Sequence, residues 1–250
     1  MKKYSREEIE QNISSIILSG QGWDLYNHAL VNAKGETPKT SGETTPYTEI
    51  IAHLLLIDAN FKLFISALSS HKKEMSFQHG KGYYNPNHKM LAPGSFPAKP
   101  LREEEWIAKM LMGRTFRQFG EVFDYQVPLS RDSSNRSKSG KIDLVSRKGN
   151  KIFLLELKRP GSKETLLRCI LESYTYLKLT DHRKFIADFK FGNPSNFTFV
   201  PSPLFFTDSQ QRIEWQEMLS GKRPELAKLS KKLNINFFEL QNEITEPYPF

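Results

Sequence analysis

The first part of the chain carries apolar residues at the spacing of amphipathic helices. Ser5 is followed by apolar residues three and four positions apart, which predicts a helix over residues 5–20. A second pattern that begins at Thr45 predicts a helix through residue 68. This second stretch is apolar over much of its circumference, so we expect it to be buried between layers.

Residues 71–100 have a different character, because basic side chains alternate there with phenylalanine and tyrosine. Such a mixture can follow a nucleic-acid backbone and stack on its bases. It is also the composition of a long linker. We favour a linker that touches nucleic acid only modestly, and a dedicated binding loop is the alternative.

The second half of the chain mixes helical and strand patterns. An apolar stripe containing Trp106 predicts a helix over residues 101–119, with Gly120 as its cap. Residues 121–129 alternate as a strand, and a serine-rich polar loop follows them. This composition is typical of a mobile loop that contacts phosphate groups, and plain solvated loops share it.

Two short apolar runs between Gly140 and Lys158 flank the dipeptide Gly149-Asn150, which suits a two-residue hairpin turn. If Lys148 pairs with Lys151, Asp143 lies directly opposite Glu156. Side chains alternate along a strand, so these two acids share one face with Lys141 and Lys158, and also with Val145 and Leu154. The other face is wholly apolar and requires cover; it carries Ile142, Leu144, Phe153, Leu155 and Leu157.

Further elements follow the hairpin. Ser162 begins a predicted helix that continues to about residue 179. Strands are predicted over residues 185–189, 196–207 and 235–240, with helices between the last two. The order from residue 101 is therefore helix, three strands, helix, strand. This order predicts an α/β (α+β) fold with a mixed sheet, in which residues 1–97 form a helical region and linker and residues 98–250 form a second domain.

Composition narrows the range of partners and compartments. The chain has 250 residues, of which 38% are hydrophobic, which is enough for one large core or two small ones. Its net charge of +8 favours a polyanionic partner. The single cysteine, Cys169, excludes an intramolecular disulfide, and the N-terminus lacks the apolar run of a signal peptide. We expect a cytoplasmic protein that does not insert into a membrane.

The opposed acids of the hairpin require a cation, because two carboxylates on adjacent strands repel each other. A hard divalent metal with oxygen ligands meets this need, and Mg²⁺ is the usual choice beside phosphate. Lys158 would then place an ammonium next to the metal. In the alternative interpretation, Asp143 and Glu156 are simply paired with lysines on a charged hairpin.

The string G-K-I-D-L-V, followed on the next strand by L-L-E-L-K-R, resembles the metal-binding core of the PD-(D/E)XK nuclease superfamily, in its RecB-like or restriction-endonuclease-like branch. The resemblance covers about residues 101–207. It implies an αβββαβ core and hydrolysis of a phosphodiester bond with Mg²⁺ or Mn²⁺. By resemblance, Asp143, Glu156 and the backbone carbonyl of Leu157 hold the metal, and Lys158 orients or deprotonates a water.

The same resemblance assigns auxiliary roles to two further acids. Glu103, on the first helix of the core, would complete the metal shell, or it merely favours the helix N-terminus electrostatically. Glu172 and Tyr176 stand four residues apart where the RecB-like nucleases often carry glutamine and tyrosine. Glu172 departs from that pattern and would be a ligand or a water-positioning group. Otherwise it is an ordinary ion pair with Arg168 on a solvent-exposed face.

The resemblance also implies a nucleic-acid partner, with DNA preferred to RNA. The side chains expected to contact it are Lys141, Arg159, Arg136, Lys138 and Tyr176. Two alternatives remain open: a non-catalytic nucleic-acid-binding protein on the same fold, and a cap-snatching-type RNA endonuclease. The latter family places a metal-binding histidine on an early helix, for which His53 is a poor candidate. Endonuclease or exonuclease action is open, as is the oligomeric state, a homodimer being one option.

Overall fold

The structure, a computed structural model, describes residues 3–38, 44–74, 82–92, 95, 102–129 and 140–241. It is an α/β fold built on a mixed six-stranded sheet, with a small two-stranded antiparallel sheet beside it. The strands are β1 (Glu36–Pro38), β2 (Thr44–Pro46), β3 (Thr115–Phe116), β4 (Gly120–Pro128), β5 (Lys141–Lys148), β6 (Lys151–Leu157), β7 (Thr198–Phe206) and β8 (Phe238–Leu240). The larger sheet has the order β3-β4-β5-β6-β7-β8, antiparallel up to β6 and parallel beyond it.

Helices pack around this sheet. They are α1 (Arg6–Leu18), a 3₁₀ segment (Gly22–Asn27), α2 (Tyr47–Leu56), α3 (Asp58–Glu74), α4 (Glu103–Leu111), α5 (Leu166–Leu179), α6 (His182–Asp188), a 3₁₀ turn (Pro194–Asn196), α7 (Gln210–Leu219) and α8 (Pro224–Lys232). The start of α1 follows the sequence prediction, because Ser5 and Glu8 form a reciprocal capping box.

The predicted helix over residues 101–119 is too long. It ends at Leu111, since Gly113 adopts a φ of +83° and its N–H bonds to the carbonyl of Val122. The predicted helix beginning at Thr45 breaks in two at Ile57. At that break the side chain of Asn60 donates to the carbonyl of Leu54, which satisfies an acceptor at the end of α2.

The predicted strand over residues 185–189 is wrong, because these residues lie in and just after α6. Asp181 caps this helix by accepting a hydrogen bond from the N–H of Lys184 at 3.1 Å. Phe185 and Ile186 are one side of a helix, buried under the sheet, rather than alternating strand positions. The cap at Asp181 was therefore the more informative signal.

The two faces of the sheet carry separate apolar clusters. One cluster contains Leu144, Phe153, Leu155 and Leu157 and is covered by α4, as the hairpin pattern requires. The prediction for Ile142 is wrong, because this residue packs on the opposite face with Val145 and Leu154. The alternation of side chains in the neighbouring strand β4 is also interrupted. Tyr125 and Val127 fall in different clusters, and Gln126 between them has a φ of +46°.

A third and larger core joins the N-terminal helices to the rest of the molecule. Ile9, Ile13 and Ile51 share this core with buried residues of α5. The α5 members are Leu166, Leu167, Ile170, Leu171 and Tyr174, and α8 adds Leu226 and Leu229. The boundary near residue 97 therefore does not separate two hydrophobic cores. In the described part of the chain no single helix is long and apolar enough to span a membrane; α2 and α3, bent by 87° at the break between them, reach that length and apolar composition only when taken together.

Candidate functional site

The β5–β6 hairpin has the register expected from its turn. Lys148 pairs with Lys151, and the ladder continues to Leu144 opposite Leu155. Beyond that pair, the side chain of Asp143 crosses to the neighbouring strand, where its Oδ2 accepts the N–H of Leu157 at 3.0 Å. Asp143 and Glu156 consequently open into the same pocket.

Asp143 is held from both sides. Its Oδ1 accepts a hydrogen bond from Nε2 of Gln126 at 2.9 Å, while Oδ2 is bonded to the backbone of β6. Gln126 reaches it from β4 at the position whose positive φ interrupts the regular alternation of that strand. Each carboxylate oxygen keeps a further lone pair, so both can still accept a ligand from the pocket.

Lys158 lies at the centre of the site and is only 4% exposed. Its Nζ donates to Glu156 Oε1 at 2.6 Å and to Glu172 Oε2 at 3.2 Å, and it lies 2.8 Å from Glu164 Oε2. One ammonium thus serves three carboxylates from β6, the loop before α5 and α5 itself. Such a buried cluster stabilises the fold only while its charges remain compensated.

Helix α5 supplies the outer side of this cluster. Tyr176 donates its hydroxyl to Glu172 Oε1 at 3.0 Å, one helical turn away. Arg168 lies on the same side, with its Nε 3.8 Å from Glu172 Oε2. The interpretation of Glu172 as a surface ion pair with Arg168 is wrong, since Glu172 is 8% exposed and its nearer partner is Lys158.

These side chains line a cavity of about 910 Å³ whose walls are dominated by acids. Among the residues that the structure describes, its acidic lining comprises Asp24, Glu104, Glu105, Asp143, Glu156, Glu164 and Glu172. Its basic lining comprises Arg102, Lys141, Lys158 and Arg168. The pocket is therefore acidic in a chain whose net charge is +8, and it favours the entry of a cation.

The ionisation of the central groups reflects this excess of negative charge. Burial, together with nearby Glu172 and Glu104, raises the pKa of Asp143 to about 7 against the opposing effect of Lys158. Burial and then Asp143 and Glu172 raise the pKa of Glu156 well above its usual value. Burial also disfavours the Lys158 ammonium, but Glu156 and Glu172 outweigh it and raise the pKa of Lys158. The positive charge of Lys158 is therefore too small to compensate the carboxylates of the site.

Glu103 does not lie in the pocket. It is exposed and forms an ion pair with Arg159 at 3.4 Å, so the sequence-based choice of this residue on α4 is wrong in position. Glu104 lines the pocket instead, and burial raises its pKa. The buried stripe of α4 is centred on Ile107, Ala108 and Leu111, and Glu104 precedes the first two by three and four residues.

The residues predicted to contact nucleic acid fall into different places. Lys141 lines the pocket and is exposed, as a phosphate contact requires, whereas Arg159 lies outside it beside Glu103. Tyr176 is 4% exposed and is engaged by Glu172, so it orients an acid rather than offering a surface. Arg136 and Lys138 lie outside the described residues. His53, the poor candidate for an RNA endonuclease, pairs with Glu225 away from the pocket.

The donor set has features that suit a divalent cation. Glu156 Oε2 is buried and accepts no N–H or hydroxyl hydrogen bond from the described residues. The carboxyl groups of Asp143 and Glu172 lie beside Glu156, and Glu172 hydrogen-bonds to it when one of the two is protonated. Within the described ranges no three Asp, Glu, His or Cys side chains are arranged as a ready ligand group. Mg²⁺ does not demand one, because it commonly binds one or two carboxylates and completes its shell with water. Asp143 and Glu156 would hold such an ion. Leu157 contacts Asp143 through its N–H.

Sequence reasoning missed several residues of the pocket. Gln126 gave no signal, because it occupied the outward position of a regularly alternating strand. The predicted start of a helix at Ser162 is wrong, because Thr165 caps α5, and Glu164 therefore lies in the loop before the helix. The 3₁₀ segment forms another wall with Trp23, Asp24, Tyr26 and Asn27, which only long-range packing brings to the acids.

Comparison of the sequence with protein-family models and with curated proteins, and of the fold with solved structures, finds no match.

Proposed function

We propose that this protein is a metal-dependent nuclease of the PD-(D/E)XK type, which hydrolyses phosphodiester bonds in nucleic acid, with DNA preferred to RNA. The observation that carries the proposal is the juxtaposition of Asp143 and Glu156 in one pocket, where the buried Glu156 Oε2 accepts no N–H or hydroxyl hydrogen bond from the described residues. A buried carboxylate oxygen without a donor is costly unless a cation or a proton compensates it. A bound dication provides that compensation.

The arrangement of elements supports the same proposal. The helix α4, the strands β4, β5 and β6, the helix α5 and the strand β7 occur in this order, with β3 between α4 and β4, and α6 and a 3₁₀ turn between α5 and β7. This is the αβββαβ order of the superfamily that the hairpin motif resembles. The acids stand at the point where β5 and β6 leave their paired ladder, so the backbone leaves room there for a substrate.

In the proposed mechanism, Mg²⁺ or Mn²⁺ would polarise the phosphate and lower the pKa of an attacking water. Asp143 and Glu156 would hold the ion, Glu156 through Oε2, while its Oε1 accepts a hydrogen bond from the Lys158 ammonium. Lys158, held by Glu156, Glu164 and Glu172, would supply a fixed positive charge beside the ion.

Glu172 and Tyr176 are positioning residues in this mechanism. The Tyr176 hydroxyl fixes Glu172 Oε1, which leaves Oε2 directed at the Lys158 ammonium. Removal of the hydroxyl weakens this series of hydrogen bonds from Tyr176 through Glu172 to Lys158, and it removes no charge. We therefore expect Tyr176→Phe to lower kcat while Kd for the metal changes little.

The test is a cleavage panel of circular and linear DNA and of RNA, each with Mg²⁺, Mn²⁺ or EDTA. Wild type should cleave at least one substrate with a metal and none in EDTA. Asp143→Asn, Glu156→Gln and Lys158→Met should each lose activity by at least a hundredfold, since removal of a charged group from such a site costs about 2.7 kcal/mol or more in the barrier.

Glu214→Gln is the matched control. Glu214 is a buried acid with a raised pKa, but it lies outside the pocket, where it accepts the N–H of Leu166 at the start of α5. Its variant should cleave like wild type if it remains folded in circular dichroism. Cleavage that persists in EDTA, or in Asp143→Asn, would overturn the proposal.

The contacts of Lys158 favour a second candidate, a non-catalytic nucleic-acid-binding protein on the same fold. Its ammonium already contacts three carboxylates, so a structural ion cluster needs no metal. For such a protein, nucleic-acid binding is unchanged by EDTA and no substrate of the panel is turned over. A rise in melting temperature on addition of Mg²⁺, abolished in Glu156→Gln, distinguishes the nuclease from this alternative.

A further inference from the structure

The wall of the pocket formed by the 3₁₀ segment has an aromatic character that the acid cluster does not explain. Trp23 lines the cavity together with Asp24 and Asn27. This segment belongs to the N-terminal helical region, outside the part of the chain that resembles a nuclease. The nuclease resemblance therefore does not explain why this segment lines the pocket.

Packing fixes the indole of Trp23 in place. Its ring stacks on His71 of α3, with centroids 3.7 Å apart and planes inclined by 9°. Gly22, immediately before it, lies so close to α3 that an added Cβ would be 3.4 Å from Phe64 and Ala67. Trp23 is only partly buried, and it remains in the lining of the cavity. One face of the indole is thus packed on His71, and Trp23 shares the lining of the cavity with the acids.

The polar neighbours of Trp23 complete a surface suited to a planar heterocycle. Asn27 donates its Nδ2 to Asp24 Oδ1 at 2.7 Å, so the two side chains are oriented together at the pocket wall. Amide and carboxylate groups can bond the donor and acceptor edge of a base, while an aromatic face stacks on its ring. An aliphatic ligand would not use the amide and carboxylate groups, and an acidic ligand would not use the aromatic ring.

The depth of the site limits the form of the substrate. Glu156, Lys158 and Glu172 are only 2 to 8% exposed at the floor of the cavity. A double helix carries its phosphates on a convex outer surface and keeps its bases stacked, so it cannot present both to such a floor. Enzymes that must reach a base inside a duplex act on single strands or swing the nucleotide out of the stack, and a single strand can reach this floor in the same way.

We propose that Trp23, with Asp24 and Asn27, forms a nucleobase-binding subsite beside the phosphate site, and that the substrate enters as single-stranded nucleic acid. The assignment rests on the proposed function for the identity of the neighbouring phosphate site. Exposed Lys141 and Arg102, which also line the cavity, contact the backbone of the entering strand.

The test measures binding separately from cleavage. The full chain is titrated with a fluorescein-labelled 12-mer of single-stranded DNA, and with the blunt duplex of the same sequence, in Ca²⁺ and in EDTA. Fluorescence anisotropy gives Kd, and a gel of the same samples checks for cleavage. Single-stranded DNA should bind at least tenfold more tightly than the duplex.

Three variants isolate the aromatic surface. Trp23→Leu keeps apolar bulk but loses the ring, and it should weaken single-strand binding by about tenfold, as loss of one stacking platform does. Trp23→Phe keeps a ring and should lose less than threefold. Trp215→Leu is the matched control, because Trp215 packs against Phe205 and Phe237 away from the pocket, and it should bind like wild type.

A second measurement covers the case in which Trp23→Leu does not fold. Single-stranded DNA should quench part of the tryptophan fluorescence of wild type, and this quenching should be lost in Trp23→Phe. Equal binding by Trp23→Leu and Trp23→Phe, quenching unchanged in Trp23→Phe, or tighter binding of the duplex would overturn the subsite. Cleavage without any dependence on Trp23 rejects the subsite alone, whereas Trp23-dependent binding without cleavage rejects the nuclease alone.

Discussion

At the scale of the residue, the central feature is a buried lysine whose single ammonium group contacts several carboxylates. Lys158 contacts Glu156, Glu164 and Glu172, yet Asp143 and Glu156 keep raised pKa values. One ammonium does not compensate this number of carboxylates. The consequences for stability can be measured without any assumption about substrate.

The first prediction concerns the pH dependence of folding in EDTA. The pKa of Asp143 is raised in the fold, to about 7, so the folded protein holds this proton more tightly than the unfolded chain. The resulting stability is fully present below pH 4 and is lost as the pH rises through 7, by up to about 1.4 kcal/mol per pH unit. Urea unfolding at pH 5 and pH 8 should show this loss for wild type.

In Asp143→Asn the loss should be smaller, because the amide does not ionise. Saturating Mg²⁺ should also reduce it in wild type, since the ion compensates the ionised acids. An identical pH dependence for wild type and Asp143→Asn in EDTA would contradict the prediction.

The second prediction concerns the removal of the buried ammonium. Lys158→Met leaves Glu156 and Glu172 without their nearest cation and should lower the free energy of unfolding by about 3–5 kcal/mol at pH 8. Addition of Glu156→Gln should restore a part of this loss, because the amide carries no charge. Chemical unfolding of both single variants and the double variant gives the coupling energy. A coupling energy near zero would show that the contact is not energetically important.

At the scale of the element, the strand β4 shows how local geometry builds the site. Its register shifts between Val122 and Asp124, and Gln126 adopts a positive φ. These irregularities turn Gln126 toward Asp143 and move Tyr125 and Val127 to different faces. Bulges of this kind often redirect a side chain next to a functional site.

The third prediction concerns the start of β4. Gly120 has a φ of +80°, and an added Cβ would lie 2.0 Å from the carbonyl oxygen of Arg147. Gly120→Ala should therefore lower the free energy of unfolding by about 3 kcal/mol or more, from backbone strain and the clash together.

Gly149→Ala is the matched control for this prediction. Gly149 also has a positive φ, +61°, but an added Cβ would meet open space. Its substitution should cost only the strain, about 1–2 kcal/mol. Equal costs for the two variants in urea unfolding would show that the close approach at Gly120 is relieved by movement.

At the scale of the whole molecule, the N-terminal helices and the sheet share a core. Helix α5 lies over the sheet and contacts α3 and the 3₁₀ segment, and its buried residues share one core with those of α1 and α2. The 3₁₀ segment between them brings Trp23 and Tyr26 to the pocket, where Tyr26 meets Tyr176 edge to face at 6.5 Å. The N-terminal region is thus a part of the candidate site.

The fourth prediction follows from this shared core. A chain that begins at residue 98 would expose the apolar side of α5, including Leu167, Ile170 and Leu171. It should show no cooperative thermal transition and no near-ultraviolet circular dichroism, while an equimolar mixture with residues 1–97 regains some of both. A cooperative transition in the isolated fragment would contradict the prediction.

The sequence alone was sufficient for the features that depend on neighbours along the chain. The Gly149-Asn150 turn set the hairpin register as far as Leu144 opposite Leu155. The predicted pair of Asp143 and Glu156 lies beyond the end of this ladder, where Asp143 accepts the N–H of Leu157. The capping box at Ser5 set the start of α1. Turn chemistry and side-chain alternation act over a few residues, so a linear pattern records them directly.

Other features could not be predicted because they depend on contacts distant in sequence. Trp23 reaches the pocket through packing on α3, and the choice of Glu104 over Glu103 depends on how α4 lies against the sheet. Helical periodicity allows either glutamate within its angular tolerance. Tertiary packing makes the choice, since burial of Ile107, Ala108 and Leu111 sets the rotation of the helix and thereby turns one carboxylate toward Lys158 and its neighbour toward solvent.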